Sequence, residues 1–117
     1  LNYADAAAAF RQALSIDDSL GIARLNLSLA LLYEQDLDGA AAEAARAAER
    51  LPDAPQPPYV LGLVARAQGR NAEARGFFQK VLGIDRADVG ATVNLAQIDL
   101  EDQRYDGAVA ALEPIVQ

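Results

Sequence analysis

The pattern of apolar and polar residues predicts about seven amphipathic helices joined by links of two to five residues. Links this short force neighbouring helices to run antiparallel. Pro114 lies inside the last predicted helix, where it would remove a backbone hydrogen bond and kink or end the helix. The predicted helices cover residues 3–16, 20–34, 37–50, 57–68, 71–83 and 88–102, and the seventh begins near Tyr105.

The second predicted helix carries two apolar stripes. Leu25, Leu29 and Leu32 are spaced i, i+4, i+7 and share one face. Leu27 and Leu31 lie on roughly the opposite face. Because a surface helix needs only one apolar stripe, this helix is either buried on both sides or offers one stripe to a ligand.

The same residue types return every 34 residues without any insertion. A fixed period of this size is typical of repeat arrays, which build an extended surface rather than one enclosed core. Function is therefore expected on that surface. Five columns fall in register: Ala6, Ala40, Ala74 and Ala108; Phe10, Ala44, Phe78 and Leu112; Leu14, Ala48, Leu82 and Val116; Leu27, Leu61 and Leu95; and the small residues Ser28, Gly62 and Ala96.

A leucine–glycine pair, a later alanine and a following aromatic residue form the clearest motif in this register. Leu61-Gly62, Ala74 and Phe78 provide it, and the pattern resembles the tetratricopeptide repeat. Weaker matches are Leu27-Ser28, Ala40 and Pro52, then Leu95-Ala96, Ala108 and Leu112.

The resemblance implies an all-α fold, a right-handed superhelical solenoid of antiparallel helix pairs. It divides a single array, 1–117, into the second helix of a truncated first unit (1–20), units at 21–54 and 55–88, and a partial unit at 89–117. The column of small residues is expected to face the column of alanines where paired helices nearly touch, because a larger side chain would push them apart.

The resemblance also implies that the first helix of each unit lines a concave groove in which ligands bind. Such a groove, apolar with a few polar anchors, suits a peptide or an amphipathic helix. By register the groove residues are Leu25, Asn26, Leu29, Leu32 and Tyr33, then Tyr59, Val60, Leu63 and Arg66, then Val93, Asn94, Gln97 and Leu100.

The polar groove residues allow two interpretations. Asn26 and Asn94 either bind a peptide backbone through paired amide hydrogen bonds or are ordinary polar residues on a wet face. Tyr59 is either a binding hot spot or a filler under the proline-rich turn. Some family members clamp a C-terminal carboxylate with lysines and arginines here. Leu25, Tyr59 and Val93 occupy most of those places, so a chaperone tail is not the favoured ligand.

The chain contains no histidine, cysteine, methionine or tryptophan. A Ser–His or Cys–His nucleophile and a histidine metal site are therefore excluded, and we expect neither a cofactor nor an enzyme. The densest acidic cluster could bind a cation or a basic peptide, or could be a solvated helix end. It consists of Asp99, Glu101, Asp102 and Asp106.

The net charge of −7 argues against nucleic acid and anionic membranes as partners. The expected partner is a neutral or basic protein segment, unless the charge serves only solubility. Self-association through uncapped array ends is the alternative function.

Origin and compartment are indicated only by composition and by how the chain begins. It lacks an initiating methionine and starts partway through a repeat, which suggests excision from a longer protein. No segment is long and apolar enough to span a membrane. Arginine supplies nine of the ten basic residues and alanine is abundant, which indicates a bacterial protein, soluble in the cytoplasm or periplasm.

Overall fold

The computed structural model describes the backbone of residues 2–116 and the side chains of residues 2–104. This part of the chain is all-α, as predicted, and contains no strand. It forms an elongated body with extents of 63 × 29 × 22 Å. Its six helices are α1 (Tyr3–Ile16), α2 (Gly21–Tyr33), α3 (Leu37–Arg50), α4 (Gln56–Ala67), α5 (Asn71–Ile84) and α6 (Val89–Val116).

Short polar side chains and prolines start several of these helices. The side chain of Asn2 accepts a hydrogen bond from Ala4 N at the start of α1, and Asp36 accepts one from Gly39 N at the start of α3. Each bond satisfies a backbone donor that has no partner within the helix. Prolines occupy the first turn of α4, where no donor is needed.

Two residues with positive φ end α2 and α4. They are Gln35 (φ 65°) and Gly69 (φ 75°), one repeat apart. After each, the next amide donates to a carbonyl five residues back: Asp36 N to Leu31 O, and Arg70 N to Ala65 O, both at 2.9 Å. This left-handed cap reverses the chain and brings the second helix of the pair back against the first.

The third position of this column is Gln103, where no left-handed cap is found, so the described part of the chain has six helices where about seven were predicted. α6 continues without a break from Val89 to Val116. The residue type at this position does not account for the difference, since Gln35 is also a glutamine and does adopt the left-handed conformation. The predicted kink at Pro114 falls among the residues whose side chains the structure does not describe.

The paired helices α2–α3 and α4–α5 meet at the predicted small residues. Ser28 and Ala40 are fully buried in the first pair, and Gly62 and Ala74 are buried in the second. A Cβ atom added to Gly62 would lie 2.7 Å from the ring of Phe78, which is itself fully buried. The α4–α5 contact therefore has no room for even one methyl group.

The corresponding face of α6 is open in the described part of the chain. Ala96 is exposed, whereas Ser28 and Gly62, its equivalents, are buried. Thr92 is exposed as well, whereas its equivalent Pro58 is buried. The difference arises because α6 runs straight on where α2 and α4 each turn into a second helix.

We predict that Gly62→Val destabilises the fold by about 1–3 kcal/mol, because the added methyl groups overlap Phe78. Ala96→Val, in the same column, should cost less than Gly62→Val. Helix propensity alone predicts the opposite order, since valine is a better helix former than glycine and a worse one than alanine. Urea unfolding followed by circular dichroism measures both. Equal losses would contradict the difference in packing between the two sites.

Candidate functional site

The predicted groove residues of α2 differ in how far they are open to solvent. Tyr33 is 60% exposed, and Leu29, Leu32 and Asn26 are half-buried. Leu25, in contrast, is only 7% exposed and belongs to a core cluster that includes residues of α1, α3 and α4. The stripe expected to line the groove therefore divides, since its first leucine packs in the core and the next two stay partly open.

The groove residues predicted on α4 lie on successive turns of that helix, and those predicted on α6 lie on successive turns of α6. Tyr59, Leu63 and Arg66 on α4 are half-buried and Val60 is buried. On α6, the side chains of Val93, Gln97 and Leu100 are exposed, whereas Asn94 is 9% exposed.

A cavity of about 270 Å³ opens between α2, the start of α4 and the turn between α5 and α6. Leu29, Val60 and the ring of Tyr59 supply most of its apolar wall, and Asp85 and Asp88 supply its acidic side. Pro55 and Gln56 complete the lining. Part of the groove predicted from the sequence thus coincides with a cavity. The contribution of the α5–α6 turn was missed, because the register assigns groove residues only to helices.

Tyr59 is fixed in this wall by contacts on two sides. Its ring meets the ring of Phe78 edge to face, with centroids 5.6 Å apart and planes at 68°. A Cβ atom on Gly90 would lie 2.6 Å from the Tyr59 hydroxyl, so a side chain at this position would force the ring to shift. Asn94 Nδ2 donates a hydrogen bond of 3.3 Å to the same hydroxyl.

The amide of Asn94 is already engaged within the protein. Nδ2 also donates to Gly90 O at 2.8 Å, and Oδ1 accepts from Arg66 at 2.8 Å. The role of a paired amide anchor for a peptide backbone would require these bonds to break. Asn94 thus orients Tyr59 and Arg66 in this structure.

Arg66 joins α4 to α6 through three side chains. Besides Asn94, its guanidinium donates to Gln97 Oε1 at 2.6 Å and to Glu101 Oε1 at 2.7 Å. Asn71 Nδ2, on α5, donates to the other oxygen of Glu101 at 3.2 Å. The hydrogen bonds from Arg66 and Asn71 hold the pKa of the Glu101 carboxyl below its ordinary value. The only groove arginine predicted from the sequence is therefore ion-paired with a carboxylate of the same chain.

The acidic cluster predicted on α6 is ion-paired rather than merely solvated. Arg75 on α5 lies 2.6 Å from Asp99 and 2.9 Å from Asp102. The hydrogen bond to Asp102, followed by the charge of Asp99, raises the pKa of Arg75. Asp106 lies outside the residues whose side chains are described. Neither arginine that pairs with these acids was predicted from the sequence, although Arg66 and Glu101 are spaced by one repeat plus one residue.

Within residues 2–116, no helix has the length and apolar character needed to cross a membrane. Among the described side chains, no three or more carboxylates are arranged to hold a metal ion.

Comparison with known proteins finds a similar sequence family for part of the chain and similar folds for most of it. The sequence profile of the tetratricopeptide repeat family matches residues 65–117. The first tetratricopeptide repeat domain of Spaghetti (RPAP3), bound to the HSP90 peptide SRMEEVD, matches with a TM-score of 0.81 at 17% identity, over 85% of this chain and 79% of that one. This chain shares the fold of that domain. The second such domain of human RPAP3, in complex with the HSP70 peptide SGPTIEEVD, matches with a TM-score of 0.78 at 20% identity, over 83% and 81%.

The predicted solenoid of tetratricopeptide helix pairs is confirmed by these matches. At such low identities the likeness to the two structures concerns the fold. No curated protein matches the chain.

We predict that Arg66→Gln raises the pKa of Glu101 toward the ordinary glutamate value of about 4.3. In the wild type the carboxyl is more acidic when folded than when unfolded, so its contribution to stability is present above the unfolded pKa and is lost as pH falls through the folded one. NMR titration of the Glu101 side-chain carboxyl carbon measures the shift.

Arg70→Gln is the matched control, since Arg70 is exposed and faces Glu73 at 4.0 Å. It should leave the Glu101 titration unchanged. A wild-type Glu101 that titrates at the ordinary value would contradict the bond to Arg66.

Proposed function

We propose that this repeat array is a non-catalytic interaction module that holds a peptide or helix of a partner protein in the groove formed by α2, α4 and the start of α6. The observation that carries the proposal is the cavity between α2 and α4, walled by Leu29, Val60 and Tyr59. An apolar concave site with a few polar groups is typical of peptide recognition.

The two similar structures support this proposal at the level of the fold. Both hold peptides, and both peptides end in EEVD. We do not expect this chain to bind similarly acidic peptides, because Arg66 is paired with Glu101 and the cavity has two carboxylates. We therefore propose that the partner segment is neutral or basic.

We predict that Leu29→Glu with Leu63→Glu weakens binding by about a hundredfold or more, since each apolar side chain contributes roughly 1.5–3 kcal/mol when fully desolvated. The probes are peptides selected on the wild-type protein from a phage library of random dodecapeptides. Isothermal titration calorimetry measures the affinity, and circular dichroism checks that helicity is kept. If the double variant unfolds, Leu29→Gln with Leu63→Gln replaces it.

The control is Ala45→Glu with Gln79→Glu. Both positions are exposed and lie one repeat apart on α3 and α5, outside the groove. This pair should leave affinity unchanged. Peptides that bind the groove variant as well as the wild type would refute the groove assignment.

A second candidate function is self-association through the open face of α6, and the observation that favours it is the exposure of Ala96 beside the exposed Val89 and Val93. A second copy of this chain would cover Ala96 as α5 covers its equivalent Gly62 on α4. Light scattering across a concentration series tests it. A monomer at every concentration would remove this candidate and leave peptide binding untouched.

A further inference from the structure

We propose that the cavity between α2, α4 and the α5–α6 turn binds one lysine or arginine side chain of the partner segment. This inference rests on the proposed function and adds the chemistry of the residue that is recognised. The occupant is a positively charged group at the end of a long aliphatic side chain. The size, the lining and the charge of the cavity support this choice.

The size of the cavity suits a single side chain. Its volume of about 270 Å³ lies below the range of roughly 300–1,000 Å³ typical of pockets for drug-sized ligands. Leu29 and Val60 offer aliphatic contacts to the methylene groups of lysine or arginine, which pack well on apolar surfaces. Tyr59 adds an aromatic ring, on which a cation can also lie.

The acidic side of the cavity is held in place by backbone hydrogen bonds. Ala87 N donates to Asp85 Oδ1 at 3.1 Å, and Ala91 N donates to Asp88 Oδ1 at 2.8 Å. Each carboxylate keeps a second oxygen outside that bond. Two oriented carboxylates beside an apolar wall are the acceptors that an ammonium or guanidinium group prefers.

The described acids of α6 contrast with Asp85 and Asp88. Asp99, Glu101 and Asp102 are each ion-paired with an arginine of this chain. Neither Asp85 nor Asp88 forms an ion pair with any arginine or lysine side chain among residues 2–104. The cavity therefore keeps negative charge that the protein itself does not neutralise.

The N-termini of two helices near the cavity carry partial positive charges that would repel a cation. The sign of the net charge depends on how large these partial charges are compared with those of the carboxylates. The starts of α4 and α6 each carry about half a positive charge. Among the residues that line the cavity, two carboxylates carry two full negative charges, so the lining itself keeps about one negative charge. This balance favours a basic side chain over an acidic one.

The test pairs an isosteric variant with a change in the peptide. Asp85→Asn with Asp88→Asn removes both charges while asparagine keeps the capping bonds. Peptides selected on the wild type from the phage library should be enriched in a lysine or arginine next to apolar residues. Replacing that residue by norleucine should weaken binding to the wild type roughly tenfold or more, and should change binding to the variant little.

The matched control is Asp17→Asn with Asp18→Asn. Asp17 lies two repeats before Asp85 and caps the α1–α2 turn through Ser19 N at 3.0 Å. This control removes the same charge without altering the cavity, so the norleucine peptide should lose the same tenfold on it as on the wild type.

The outcomes separate the inference from the proposed function. Selected peptides without basic residues, or an equal norleucine effect on both aspartate variants, would overturn the inference and leave peptide binding standing. A selection that yields no peptide dependent on Leu29 and Leu63 would overturn the proposed function and the inference with it.

Discussion

The close approach of paired helices is the constraint on which the rest of this structure depends. At Gly62 the distance to Phe78 leaves no room for a methyl group, and one repeat earlier the equivalent residues Ser28 and Ala44 are both fully buried. Because the interior is packed this tightly, one whole face of α2 and one of α4 are fully occupied by contacts with the paired helix. Anything that these helices bind must therefore meet their other face.

The same packing shapes the groove from below. Phe78, buried against Gly62, supports the ring of Tyr59, and that ring becomes a wall of the cavity. Toward the other end of the array, Arg66 and Arg75 form ion pairs with the acids of α6. The array thus has an ion-paired end, where its own arginines satisfy its acids, and a cavity end with two carboxylates that keep their charge.

The bounds of α1 to α5, their pairing and the column of small residues were predictable, because they depend on local pattern and on a period visible in one chain. Three features were not. Gln103 does not repeat the turn made by Gln35, although both are glutamines, so the residue type at this position does not decide between a turn and a continuous helix. Leu25 is buried because α1 and α4 also pack around it. The bonds of Arg66 and Asn94 depend on the rotation of α6 relative to α4, which the period does not specify.

Chemical-shift mapping of the labelled protein with a library-selected peptide measures most directly which helix faces remain available. If packing consumes the paired faces, perturbed amides will concentrate on α2, the first half of α4 and the turn that leads into α6, with α3 and the outer side of α5 unchanged. Perturbations centred on the outer side of α3 or α5 would show that ligands bind elsewhere and would contradict the assignment of the groove.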